Sequence, residues 1–106
     1  MNPFATHCLE TFHNLCTIPH CSFHTQDMFV YLCTTLKDKG YEVQSDEAKN
    51  IYAKKGNPKI CLQSHYDMVC VGDSTQHKGV KTIEKDGFLY AQNSSLGADN
   101  GIGIAC

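Results

Sequence analysis

At Gly40 the apolar spacing changes from helical to alternating, and that switch restricts the chain to an α/β architecture in which helices come first. Ahead of it, Phe4, Cys8, Phe12 and Leu15 recur at helical spacing, with Asn2 placed to cap the helix and Pro3 at its first position. The first helix should stop before Ile18-Pro19, because a proline disfavours helical backbone in the preceding residue. Pro19-His20-Cys21-Ser22 reads as a loop. Thr25 is placed to cap a second helix whose buried stripe is Met28, Phe29, Leu32, Cys33 and Leu36, with Gly40 as its stop.

Beyond Gly40, Tyr41 to Ser45 and Asn50 to Lys54 alternate and are expected to pair as a hairpin across the turn Asp46 to Lys49. Lys59 to Ser64 is expected to form a third strand. Its near-continuous apolar run Ile60-Cys61-Leu62 is of the kind found in buried strands. His65 to Lys81 is polar and irregular. Thr82 to Gln92 reads as a hairpin around Asp86-Gly87, with Ile83, Phe88 and Tyr90 as its apolar members. The stretch from Leu96 to Cys106 has the look of a helix starting. The expected fold class is therefore α/β: two helices, a partial mixed sheet and the start of a third helix, within one domain or a piece of a larger one.

Charged residues make up 19% of the chain and the formal net charge is -2, so neither a basic stripe for nucleic acid nor a patch for anionic membrane is present. The apolar runs are far shorter than a bilayer span, and the N-terminus lacks a signal-type segment, which gives cytoplasmic location as the default expectation. The cysteines number 7, an odd count, and no secretory signal accompanies them, which argues against a disulfide framework. No C-x-x-C pair is present for a structural zinc site or a thiol redox centre. Cys8, Cys16 and Cys33 read instead as small buried apolar residues on helix faces.

Two short segments carry chemistry. In Ser64-His65-Tyr66-Asp67-Met68, His65 and Asp67 are two residues apart, so an extended backbone points both to one side. Neutral imidazole is a good zinc ligand, and a carboxylate that takes the proton of its other nitrogen fixes the tautomer. Taken alone, H-x-D is weak, and a local hydrogen bond explains such a pair more often than a metal does. In Gly97-Ala98-Asp99-Asn100-Gly101-Ile102-Gly103 a carboxylate sits among glycines at a loop-to-helix junction. The motif lacks the phosphate-binding glycine pattern, and an acidic residue in its middle suits a cation better than a phosphate.

Together, L-Q-S-H-Y-D-M-V (Leu62 to Val69) and N-S-S-L-G-A-D-N-G-I-G-I-A (Asn93 to Ala105) resemble the aminoacyl-histidine dipeptidases. These are Xaa-His dipeptidases of the dinuclear zinc metallopeptidase family that includes carnosinases and aminoacylase. The resemblance extends to Ile18 to Ser22, Asp46 to Asn50 and Lys59 to Leu62, and so to nearly the whole chain. It implies that residues 1–106 are the N-terminal portion of a metallopeptidase catalytic domain, the remainder and a lid domain being absent. It further implies that His65 ligates one zinc, that Asp99 bridges two, that Asp67 is the catalytic carboxylate orienting His65, and that the Asp99-Asn100 peptide is cis. Cobalt or manganese could replace zinc, the substrate would be a dipeptide, and the full-length enzyme could be a homodimer.

The family's general-base glutamate belongs to a Glu-Glu pair that follows the bridging aspartate, and no such pair occurs here. Glu84 and Asp86 precede Asp99 and do not match. The chain by itself is therefore expected to be inactive. The alternative expectation is a non-catalytic truncated remnant or small interaction module, with apolar surface left bare where further strands would dock.

Overall fold

Asn2 opens the first helix, α1 (Pro3–Cys16), by accepting the Ala5 amide on its side-chain oxygen at 2.8 Å in the computed structural model, which describes residues 2–106. The helix closes as expected ahead of Ile18-Pro19, its last turn tightening so that the Thr17 and Ile18 amides reach Asn14 and Leu15. Cys8, Phe12, Leu15 and Cys16 form its buried face. Phe4 does not join them; it lies a turn beyond the packed surface and is 64% exposed.

The second helix, α2 (Gln26–Asp38), buries Met28 fully and leaves Cys33 half-buried. Thr25 precedes it but makes no side-chain capping bond, because its backbone is not in the extended conformation that aims a cap hydroxyl at the first amides. Gly40 ends the helix as expected. At a φ of 90° it lets its own amide reach Lys37 and the Tyr41 amide reach Leu36, closing the carbonyl end of the helix.

The predicted first hairpin forms as β1 (Glu42–Ser45) against β2 (Ile51–Lys54), antiparallel, with Ser45 opposite Ile51. Its turn is organised by Asp46, whose carboxylate accepts the amides of Ala48 and Asn50, each at 3.0 Å. α2 covers this ribbon. The second hairpin, β3 (Thr82–Lys85) with β4 (Phe88–Ala91), turns at Asp86-Gly87, both with positive φ as the tight primed turn demands. Its expected apolar members are on the wrong face. Ile83, Phe88 and Tyr90 point outward, whereas Leu89 and Ala91 pack on the core.

The expected third strand does not form. Residues 59–64 pair with no other strand among the described residues, and Ile60 and Leu62 are 80% and 92% exposed. A buried strand needs neighbours on its hydrogen-bonding edges and cover on both faces, and here it has neither. The sheet is correspondingly not the partial mixed one expected but two separate antiparallel ribbons. The α/β class stands.

The core gathers Phe12, Leu15, Cys16, Met28, Met68, Val80 and Ala105, with Ile18, Tyr66, Leu96 and Ile104 against it. The last helix, α3 (Ala98–Ala105), packs on α1, and Gly101 permits the approach: a Cβ there would lie 3.0 Å from the Phe12 ring. Among the described residues no helix is long and apolar enough to cross a membrane.

One pair of cysteines departs from the expectation that no disulfide forms. Cys21 and Cys70 are joined by a disulfide, with Cα atoms 5.5 Å apart. The fold brings the loop after α1 alongside the segment containing Met68, which no count of cysteines reveals. Cys8 and Cys16 are buried as expected, and burial pushes the Cys16 thiol up to about 11, which keeps it protonated and unreactive. Leu15, among the most buried side chains, should lose about 3 kcal/mol of stability on change to alanine. Phe4→Ala should change it by about 0.5 kcal/mol or less. Urea denaturation followed by circular dichroism checks both, and equal costs would mean that α1 does not pack through the face described.

Candidate functional site

Three stretches meet at the site: the loop after α1, the extended segment from Ser64 to Met68, and the kinked start of α3. Backbone bonds fix the first to the second. The Met68 amide donates to the His20 carbonyl at 2.9 Å and the Ser22 amide to the Met68 carbonyl at 3.0 Å, which makes a parallel bridge between Cys21 and Met68. Within the second stretch the side chains alternate. Tyr66 and Met68 turn into the core, with the Tyr66 hydroxyl donating to the Lys49 carbonyl at 2.7 Å. His65 and Asp67 therefore share the opposite side, as the two-residue spacing predicts.

The third stretch needs glycine. Gly97 has a φ of 81°, and a Cβ on it would lie 2.9 Å from the Met68 sulfur and 3.4 Å from His20 Nε2. The following helix carries non-helical backbone at Asp99 and Asn100, and the peptide between them is cis. The Asn100 side-chain amide donates to Ser64 Oγ at 2.9 Å, tying α3 to the segment beside His65.

The sequence-predicted residues come together. His65 Nδ1 lies 3.0 Å from the Asp67 main-chain oxygen and 3.1 Å from its Oδ1, and His65 Nε2 lies 3.2 Å from Asp99 Oδ1, across 34 positions of sequence. A carboxylate thus faces each ring nitrogen. Asp67 is held on its other oxygen by the Ser22 hydroxyl, which donates to Oδ2. Ser22 escaped sequence reasoning, since a serine in a loop gives no sign of a partner that lies 45 positions away.

Electrostatics follows these contacts. The Asp99 carboxylate raises the pKa of His65 above its ordinary value. Partial burial opposes that, and the Asp67 carbonyl and carboxylate add to it. The Ser22 hydroxyl is the main cause that holds Asp67 below the usual carboxylate range, with His65 assisting. Burial lowers the pKa of His20, which donates its Nδ1–H to the Ile18 carbonyl at 2.6 Å and stays neutral at pH 7.

The donor set is an imidazole nitrogen and a carboxylate oxygen, both good ligands for zinc. Their 3.2 Å separation matches the edge of about 3.3 Å expected when bonds of about 2.0–2.1 Å are set tetrahedrally around one ion. The residues present therefore fit a metal. They do not complete a site: among the described residues no group of three or more His, Cys, Asp or Glu side chains is placed to hold one. The pair is also open, with side-chain exposures of 52% for His65 and 98% for Asp99.

No family model matches the chain. The cytosol non-specific dipeptidase of Escherichia coli (strain K12) is 33% identical over 109 aligned residues, which cover 91% of this chain and 22% of that one. The crystal structure of aminoacylhistidine dipeptidase from Vibrio alginolyticus superposes with a TM-score of 0.81 at 29% identity, over 98% of this chain and 24% of that one. The chain is thus similar to one part of these two dipeptidases, and it spans less than a quarter of the length of either.

The raised pKa of His65 fixes a pH dependence. A group whose folded pKa is raised contributes its stability in full below the unfolded value, and that contribution is lost as pH rises through the folded one. In the metal-free chain the His65 ring should titrate above about 6.5, and Asp99→Asn should bring it down toward that value. Proton NMR of the ring reads this directly; an unmoved midpoint in the variant would show that Asp99 is not its partner in solution.

Proposed function

We propose that this chain supplies part of a dinuclear zinc dipeptidase site, in which His65 ligates one ion, Asp99 bridges two, and Asp67 orients His65. The observation that carries this reading is the facing pair His65 Nε2 and Asp99 Oδ1 at 3.2 Å, with Asp67 braced behind the imidazole. Both relatives are dipeptidases, one of them a cytosol dipeptidase, which supports hydrolysis of dipeptides in the cytoplasm. A dipeptide with C-terminal histidine is the proposed substrate of the complete enzyme, and cobalt or manganese could stand in for zinc.

This chain's own residues have three tasks. His65 offers Nε2 as a bare donor once its proton resides on Nδ1, where the Asp67 oxygens accept it. Asp99, with 98% of its side chain exposed, keeps both carboxylate oxygens open to more than one partner. Ser64 and Asn100, bonded to one another, hold these two segments at a fixed spacing. The chemistry zinc supplies when bound is Lewis acidity toward water and toward the scissile carbonyl. No residue here is suited to move the proton. The two acidic residues that most closely precede Asp99, Glu84 and Asp86, belong to the β3–β4 hairpin and are exposed.

The 106-residue chain alone is therefore proposed to be inactive. A second reading, an interaction module, draws on one observation: Ile60 and Leu62 are laid bare on an unpaired extended segment. Calorimetry with zinc and an assay on a Xaa-His dipeptide test both. Zinc should bind the chain in a manner abolished by His65→Ala and by Asp99→Ala, more tightly as pH rises through the His65 pKa, and no turnover should follow. Turnover would overturn the claim of a missing base, and zinc uptake indifferent to both substitutions would overturn the metal assignment.

A further inference from the structure

We propose that Ser22 is a positioning residue: its hydroxyl holds the Asp67 carboxylate in the orientation that keeps the His65 proton on Nδ1 and leaves Nε2 bare toward Asp99. The inference rests on the site reading given above and extends it to a residue in a different element.

A carboxylate turns readily about its Cβ–Cγ bond unless both oxygens are engaged. Here they are engaged from opposite sides, Oδ2 by Ser22 Oγ and Oδ1 by His65 Nδ1 at 3.1 Å. Ser22 can hold its place because its position does not depend on its side chain. Its amide donates to the Met68 carbonyl at 3.0 Å, and the preceding residue, Cys21, is bonded to Cys70. The hydroxyl has one proton and two acceptors in reach, Asp67 Oδ2 and the Met68 carbonyl at 3.3 Å. The charged and nearer one takes it, since hydrogen bonds to ionised acceptors are about twice as strong as neutral ones.

With Oδ2 satisfied, Oδ1 is left for the imidazole. The consequence is a choice of tautomer, because a carboxylate faces each nitrogen of His65 and the ring, when neutral, can serve only one of them as donor. Asp99 is the looser competitor, with its side chain 98% exposed against 41% for Asp67. Fixing Asp67 tips the proton to Nδ1. The Asp67 main-chain oxygen, 3.0 Å from the same nitrogen, leaves a residual preference once the hydroxyl is gone.

The test uses the full chain, metal-free and nitrogen-labelled, at a pH high enough for His65 to be neutral, with ring-nitrogen NMR reporting the tautomer. The unsubstituted chain should show mainly the Nδ1–H form. Ser22→Ala should shift the balance several-fold toward Nε2–H with the circular dichroism unchanged, and Ser22→Thr, which keeps the hydroxyl, should restore it. Should Ser22→Ala fail to fold, Ser22→Cys, similar in size and a weaker donor, carries the same comparison. An unchanged tautomer in Ser22→Ala, or an equal shift in Ser22→Thr, would overturn the proposal. Zinc titration of the same chains should show affinity lowered by about 10- to 100-fold in Ser22→Ala only. If the unsubstituted chain takes up no zinc, the metal reading fails, and the tautomer comparison still decides the role of Ser22.

Discussion

Two backbone hydrogen bonds between the loop after α1 and Met68 are the constraint on which the rest of the site depends. They set the His20–Ser22 loop alongside residues 67–69, and from that alignment follow the Cys21–Cys70 bond, the contact of Ser22 with Asp67, and the burial of Met68 beneath both. The side of the segment opposite Met68 is then the only place His65 and Asp67 can be. An extended backbone leaves no intermediate choice, because a slip of one residue would exchange Tyr66 and Met68 for His65 and Asp67 in the core. Two buried apolar side chains would be lost and two ionisable ones buried. The register of the functional residues is thus enforced by the hydrophobic ones between them.

The local elements were legible in the sequence because their causes are local. Asn2, Pro3, the face of Cys8, Phe12 and Leu15, and the stop at Gly40 each act within a few residues, and the helices fall where those signals put them. Asp86-Gly87 likewise sets its own turn. What failed depends on partners far along the chain. Lys59 to Ser64 has the composition of a buried strand, but composition states only what a segment could bury, and here nothing pairs with it. The β3–β4 hairpin shows the same limit. Alternation marks two faces, and Leu89 with Ala91 lies inward only because the core they meet comes from other elements.

The candidate site divides along the same line. H-x-D spacing and a carboxylate between glycines were readable, since one is a property of extended backbone and the other of a turn that needs positive φ. That His65 and Asp99 face each other at 3.2 Å is signalled in the sequence only by resemblance, and an odd cysteine count hides the Cys21–Cys70 bond. Ser22 gave no signal. A hydroxyl that acts on a carboxylate across the fold looks in sequence like any loop serine.

The openness of the site and the bareness of Ile60 and Leu62 are one physical fact. Ile60, Leu62 and His65 lie on one run, of which residues 59–64 pair with no strand among the described residues, and Asp99 beside it has 98% of its side chain exposed. In such a place a metal ion would meet two protein donors and bulk water, and water competes for every remaining position. The attraction between His65 and Asp99 is weakened for the same reason, because exposed charges interact through a high dielectric and are screened by salt. Covering the strand would do both jobs at once: it would pair the backbone of residues 59–64 and exclude solvent from the carboxylates that follow. Strand and site are therefore coupled through position alone.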